Sequence, residues 1–441
     1  RFLHPLKQVV SCAAISMNGP APTSGMTTMT TLRRESPYPA VSVDEARRLI
    51  TSQSPPPTTE VIDFTEAHGR VLAEMISADE PFPDCVTATV DGYALRADEG
   101  TQQRRIAGHL PAGSPSASLP VLEPGTAIAV MTGAPLPPGA DAVVMVEQTE
   151  ERDGMLHLLQ PVRPGEHLRA VGEDISPGTC LLEAGTSLGA VEIGLLATIG
   201  RTCIHVYRRP RVAVFSTGSE LVEPATPRQP STVRDSNRYA LLAAIREAGG
   251  QAIALDIVPD DEQMQRETLV RALSRADVVV SSGGVSMGTR DLIKPLLEEH
   301  GTIHFGRVQM RPGKPTTFAT VHGRLVFGLP GNPVSALVAF EVFVRPLLRR
   351  FQGDTSPERP VVRVVLDDPF PAVPDRPSYH RAVVGWRDGR LVACSTGSQA
   401  SSRLLSLRGA NALLLGPAAD HEHAPGDELD ALLIGPIRSD G

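Results

Sequence analysis

The sequence predicts a multidomain chain of the α/β plus β class: one central α/β domain with a mainly parallel sheet, a β-rich module, a helical/strand linker domain and a small C-terminal all-β domain. Three observations predict it. Strand-length apolar runs alternate with helical runs over residues 210–352, the pattern of strands joined by helical crossovers. Over 78–174, short β-like runs sit between Gly/Pro turns such as Leu136-Pro137-Pro138-Gly139. After Asp354-Thr355-Ser356-Pro357 the pattern returns to short alternating strands, giving the C-terminal domain 358–441.

Taken in order, residues 1–38 are rich in Thr, Ser, Pro and Met without period and are expected to form a disordered leader. The apolar stretch before Cys12 is too short for a signal peptide and holds Lys7. Ser42-Val43-Asp44-Glu45 is a capping box that opens a helix, because the Ser oxygen takes a free backbone N–H and Glu45 reaches back. A helical pattern is expected around Thr65–Ala73. Residues 39–77 and 175–209 are grouped as the linker and dimerisation domain, with a short strand at Leu181-Leu182 and a helix from Val191 to Thr198. In the β-rich module the strand candidates are 127–130, 142–145 and 155–158. The central domain reads as strand 211–215, helix 236–248, strand 252–255, helix 261–275 and strand 277–280. A helix around 291–299, strand 325–328 and a closing helix 334–350 complete it.

Composition narrows the functions. The 441 residues are 41% hydrophobic and only 4% aromatic, with the single Trp386, so aliphatic side chains must fill the interior. A formal charge of −8 argues against a general nucleic-acid binder. The five cysteines are scattered without paired spacing, which fits a reducing cytoplasm and neither a disulfide framework nor a zinc site. The longest membrane-helix candidate, 333–348, is broken by Glu341 and Arg345, so no membrane span is expected.

In open α/β sheets ligands bind beyond the carboxyl ends of the strands. Three such ends carry small-residue loops: Ser216-Thr217-Gly218-Ser219-Glu220, Ser282-Gly283-Gly284-Val285-Ser286, and Pro330-Gly331-Asn332-Pro333-Val334-Ser335. Glycine lets backbone approach a ligand closely, and free N–H groups there suit a phosphate. The Gly-Lys-Ser/Thr loop and the Gly-x-Gly-x-x-Gly fingerprint are both absent, so a nucleotide must be held in another way. Glu220, Asp260 and Asp291 flank the loops and suggest Mg²⁺, which takes a few carboxylates plus substrate oxygens. Asp260 and Asp291 each fit helix N-capping equally well. Arg311 and Lys314, held in a stiff Arg-Pro-Gly-Lys-Pro turn, suit an oxyanion. The twelve histidines show no metal-ligand spacing.

Together these residues resemble the molybdopterin molybdenumtransferase family of molybdenum-cofactor synthesis, which includes the C-terminal part of gephyrin. The resemblance spans about residues 40–440. It rests on Met131-Thr132-Gly133-Ala134-Pro135, Gly172-Glu173-Asp174-Ile175, Ser216-Thr217-Gly218-Ser219-Glu220-Leu221, Asp235-Ser236-Asn237, Ser282-Gly283-Gly284-Val285-Ser286, Pro312-Gly313-Lys314-Pro315 and Leu329-Pro330-Gly331-Asn332-Pro333. It implies an elongated homodimer of four-domain subunits, in which the α/β domain of one faces the β-rich module of the other. It implies adenylylated molybdopterin, supplied by a separate adenylyltransferase, and molybdate as substrates. AMP is released, molybdenum is left on the dithiolene, and Mg²⁺ is required. Asp91, Thr132, Asp174, Glu220, Asp260, Asp291, Pro330 and Pro333 match the family's functional positions. The resemblance assigns catalysis to four aspartates and one glutamate: Asp91, Asp174, Glu220, Asp260 and Asp291. It assigns Mg²⁺ to Glu220, Asp260 and Asp291, and pterin or phosphate to the glycine loops. One departure stands before Asp91: Thr87-Ala88-Thr89-Val90 replaces the family's Asn-Ser-Ala-Met, so Ala88 loses a hydroxyl. The central domain alone resembles molybdopterin adenylyltransferases, and a gephyrin-like scaffold is the other alternative.

Overall fold

The computed structural model describes residues 38–100, 102–227, 229–284 and 292–439. The expected leader therefore lies almost wholly outside the described residues, as do Ser286 and Asp291.

The central sheet is built from β1 (Arg211–Thr217), β2 (Gln251–Val258), β3 (Val278–Ser282), β4 (Gly301–Phe305), β5 (Thr317–Val321) and β6 (Arg324–Leu329). Its spatial order is β2-β1-β3-β6-β5-β4. The first four are parallel neighbours, and β5 and β4 add an antiparallel edge. Side chains alternate between the faces. Val212, Val214, Val278, Val280, Leu325 and Phe327 pack in one core with the helices α1 (Asn237–Glu247) and α4 (Pro333–Ala339). Ala213, Phe215, Val279 and Val326 pack in a second core with α2 (Glu262–Arg275) and α3 (Ile293–His300). Both faces being covered explains why the strands read as unbroken apolar runs. Of these four helices only α2 has a side-chain N-cap: Asp261, not Asp260, accepts from Met264 N at 2.8 Å.

Three expectations need correcting. The antiparallel pair β4 and β5 was not read from the sequence. The helix expected around Thr65–Ala73 is only a turn at Phe64–Glu66. Gly69 takes a left-handed φ of 72°, and the N–H groups of Leu72 and Ala73 go to Thr186 O and His205 O, pairing the chain with neighbouring segments. The closing helix is interrupted: α4 passes through a π-helical stretch, Phe340–Val344, before the helix Arg345–Phe351. Pro346 has no N–H for the carbonyl four residues back, which accounts for the widened turn.

The other parts are β-rich. A six-stranded mixed sheet takes the order 142–145, 92–95, 126–130, 103–110, 155–158, 149–152. The strand Thr59–Asp63 pairs antiparallel with Cys203–Tyr207 and shares a core with the helix Ala190–Thr198 through Leu72, Leu196, Ile204 and Val206. The first helix, Val43–Gln53, buries Ala46 and Ile50 in the central domain's core. Five strands between Val361 and Leu433 close into a small barrel.

Phe318 on β5 is fully buried and meets Phe305 and Phe327 with ring centroids 5.7 and 4.9 Å apart. Phe318→Ala is expected to lower unfolding stability by roughly 3–5 kcal/mol, read from the denaturant midpoint.

Candidate functional site

The parallel strands β1, β3 and β6 end side by side, with Ser216 opposite Ser282 and Ser282 opposite Leu329. Their loops meet in a cleft of about 460 Å³. From the expected set, Ser216, Thr217, Glu220, Ser282, Gly331, Asn332 and Pro333 line it. Arg234, Asp235, Ser236, Asn237 and, from the C-terminal domain, Ser402 and Leu404 complete the wall.

Backbone bonds bring the loops together. Gly218 N donates to Val258 O at 3.0 Å, and Gly283 N donates to Leu329 O at 3.0 Å. Gly283 and Gly284 are left-handed, with φ of 91° and 67°. A Cβ on Gly283 would stand 2.6 Å from Thr217 O, so glycine is required there by both space and conformation. The Thr217 hydroxyl beside it is buried and makes no hydrogen bond among the described residues. A buried hydroxyl without a partner costs free energy, and this one belongs to a residue that lines the cleft.

Glu220 is exposed, and its carboxylate folds back over Gly218: a Cβ there would lie 2.7 Å from Glu220 Oε2. Asp260 adjoins the same loop, its backbone N–H donating to Ser219 Oγ at 3.0 Å. Among the described residues no cluster of three or more His, Cys, Asp or Glu forms a ready metal site. Mg²⁺ needs less, because one or two carboxylates plus water and phosphate oxygens complete its shell. Glu220 and the loop hydroxyls are oxygen donors of the kind Mg²⁺ takes, while Asp260 adjoins the loop without lining the cleft.

Below the loops a charged network fixes the start of α1. Asp235 is 2% exposed, and its Oδ1 accepts from Ser216 Oγ and from Arg238 N, both at 3.1 Å. Arg238 is also buried and donates to Leu255 O and Glu223 Oε1, each at 2.5 Å. Asn237 Nδ2 then reaches Ser282 Oγ and Gly331 O, both at 2.8 Å, tying two of the loops. The third loop is anchored to the C-terminal domain, Asn332 Nδ2 donating to Ser401 Oγ at 3.1 Å.

Arg311 and Lys314 precede β5, whose first residue pairs with Gly328, so they stand at the same edge of the sheet without lining the cleft. Arg311 meets the barrel, where Tyr379 N donates to Arg311 O at 2.7 Å. Beside it lies Arg381, 1% exposed and without a carboxylate partner among the described residues. Burial, with Arg311 nearby, pushes its guanidinium pKa down to about 10. Its Nη2 is 3.4 Å from Ala400 O, on the segment that reaches the cleft. Ser335 is buried in α4, and Pro330 is buried under its loop.

Asp91, Thr132 and Asp174 lie elsewhere, exposed on the β-rich module. Thr132 donates to Asp91 Oδ1 from its N–H at 2.7 Å and from its hydroxyl at 2.9 Å, which holds the Asp91 carboxyl below the usual range. Asp174 pairs with Arg169 at 2.5 Å. None of the three lines the cleft of its own chain.

Sequence reasoning singled out Asp235-Ser236-Asn237 without giving it a task, and missed Arg234, Arg381 and the serines at 401–402. A polar triplet directly before a helix was the available signal for the first; no local pattern marks the others.

Comparison with known proteins agrees with these observations. Residues 41–200 match a family described as the MoeA N-terminal region (domain I and II), 213–350 a probable molybdopterin binding domain, and 363–434 the MoeA C-terminal region (domain IV). A molybdopterin molybdenumtransferase of Nostoc is 38% identical over 373 residues, covering 82% of this chain and 86% of that protein. Gephyrin of Dictyostelium discoideum is 37% identical over 92% of this chain, which spans 64% of gephyrin's length. A molybdopterin biosynthesis MoeA protein from Pyrococcus horikosii superposes with a TM-score of 0.76 at 30% identity, covering 90% of this chain and all of that one.

Two outcomes follow from the geometry. Gly283→Ala should cost roughly 1–3 kcal/mol in thermal or chemical unfolding through backbone strain. In carboxyl NMR titrations Asp91 should protonate below an ordinary aspartate, and Thr132→Val should move its midpoint upward. Because the folded pKa is depressed, its contribution to stability is present above the unfolded pKa and is lost as pH falls through the folded one.

Proposed function

The chain belongs to the molybdopterin molybdenumtransferase family, and from that premise we propose that its cleft takes adenylylated molybdopterin and molybdate, releases AMP and leaves molybdenum on the dithiolene sulfurs. The observation that carries this reading is the meeting of three small-residue loops at one sheet edge with Glu220 and an orphaned Thr217 hydroxyl. Glycine backbone and hydroxyls can approach an anhydride from several sides, and little else is needed where positioning and charge stabilisation dominate phosphoryl chemistry.

In this reading the loops at Gly283 and Gly331 hold the phosphates. Glu220 positions the attacking water and accepts its proton. The water oxygen bonds to one phosphorus of the anhydride, the P–O bond from that phosphorus to the bridging oxygen breaks, and the bridging oxygen leaves with the other phosphate, giving AMP and the pterin phosphate. Glu220 and Asp260, with Asp291 outside the described residues, would hold Mg²⁺, which when bound offsets the anhydride's negative charge. Arg234, Arg311 and Lys314 draw the anions in, and the buried Arg381 adds a positive charge that no carboxylate cancels.

Asp91, Thr132 and Asp174 stand apart from the cleft of their own chain. A homodimer in which a second copy presents its β-rich module to the cleft would bring them to the substrate. Exposed Val61, Met75 and Val191 on the linker domain offer apolar surface for that contact. No helix among the described residues is long and apolar enough to cross a membrane. A cytoplasmic dimer that receives its substrate from an upstream adenylyltransferase fits these features.

The test is AMP release from adenylylated molybdopterin with Mg²⁺ and molybdate. Activity is expected from the unaltered protein, and Glu220→Ala should lower the rate about 100-fold or more while the fold is kept. No AMP from the unaltered protein would overturn the reading.

A further inference from the structure

We propose that Asn237 is a positioning residue that makes the Ser282 hydroxyl an obligatory hydrogen-bond donor toward a phosphate in the cleft. The inference rests on the reading that the cleft takes a phosphate-bearing nucleotide.

A carboxamide nitrogen carries two hydrogens and offers no lone pair. Both hydrogens of Asn237 Nδ2 are spent, one on Ser282 Oγ and one on Gly331 O, at 2.8 Å each. A serine oxygen that accepts such a bond keeps its own hydrogen to give. Among the described residues no acceptor takes that hydrogen, and Ser282 lines the cleft. The second bond covers a carbonyl oxygen whose negative end would otherwise repel an anion. One amide therefore turns two electron-rich atoms away from the ligand and leaves a donor facing it.

The amide cannot easily be elsewhere. Asn237 is the first residue of α1, and its neighbours on both sides are clamped: Asp235 between Ser216 and Arg238, and Arg238 between Leu255 O and Glu223. A carboxylate at this position has the same shape and the opposite polarity. It would accept from Ser282, draw the hydroxyl hydrogen inward, and set a negative charge against the Gly331 carbonyl.

The experiment is calorimetric titration with AMP as the probe. The unaltered protein should bind it. Asn237→Asp should bind about 10-fold more weakly or worse at neutral pH. The gap to the unaltered protein should narrow as pH falls through the introduced carboxyl's pKa, about 4, because a protonated carboxyl donates again. A role in packing alone would not produce that pH profile. Asn237→Leu and Ser282→Ala should each weaken binding, and the double variant should lose less than the sum of the two, because only the uncovered Gly331 carbonyl adds to the loss of the Ser282 donor. This cycle serves even where Asn237→Asp does not fold. Unchanged AMP affinity in Asn237→Asp, or full additivity in the double variant, overturns the inference while leaving the cleft's function standing. Failure of the unaltered protein to bind AMP overturns both.

Discussion

Strands β1, β3 and β6 run parallel and are buried on both faces, so their polar backbone can meet a ligand only where the strands end. Parallel neighbours end on the same side. Their loops must therefore emerge together, and a hydroxyl 45 residues away and a backbone carbonyl 94 residues away both come within reach of the Asn237 amide. The position of the cleft is a consequence of covering the sheet with helices on both sides. The chemistry of the cleft is then a matter of which small residues occupy the three loops.

Charge is used sparingly in that setting and is almost always tied down. Asp235 and Arg238 are buried together, and each makes further hydrogen bonds, which is the condition under which a buried pair is tolerated. At the opposite end of the strands Asp277 gathers Arg208, Arg211 and Arg324. Its carboxyl is held below the usual range: burial raises it, but the Arg208 hydrogen bond and the other partners outweigh burial. Arg381 differs: among the described residues its guanidinium bonds to hydroxyl and carbonyl oxygens and to no carboxylate. A barrel with no need of charge holds it beside the segment that reaches the cleft.

What could be read from the residues followed how locally each feature is encoded. Val278-Val279-Val280 and Val212–Phe215 announce buried strands, because a doubly covered strand needs apolar side chains at every position. β4 and β5 escaped notice because Thr302, His304 and Thr320 interrupt the apolar pattern; their pairing depends on each other and on β6. Thr65–Ala73 carried a helical pattern that tertiary pairing of Leu72 and Ala73 overrode. Glu220 sits inside a small-residue loop and lines the cleft where that loop meets the others. The partners of Asn237 and Arg381 could not be read, because they lie far away in the chain.

The order of the four parallel strands, the helices between them and their glycine loops was determined by the sequence alone, because burial periodicity and left-handed turns are properties of neighbouring residues. Which loops line one cleft, that Asp261 rather than Asp260 caps α2, and that Asp91 and Asp174 stand outside their own chain's cleft were decided only by the tertiary structure. Those outcomes depend on distances between residues remote in the chain, and such distances exist only once the cores of the sheet have packed.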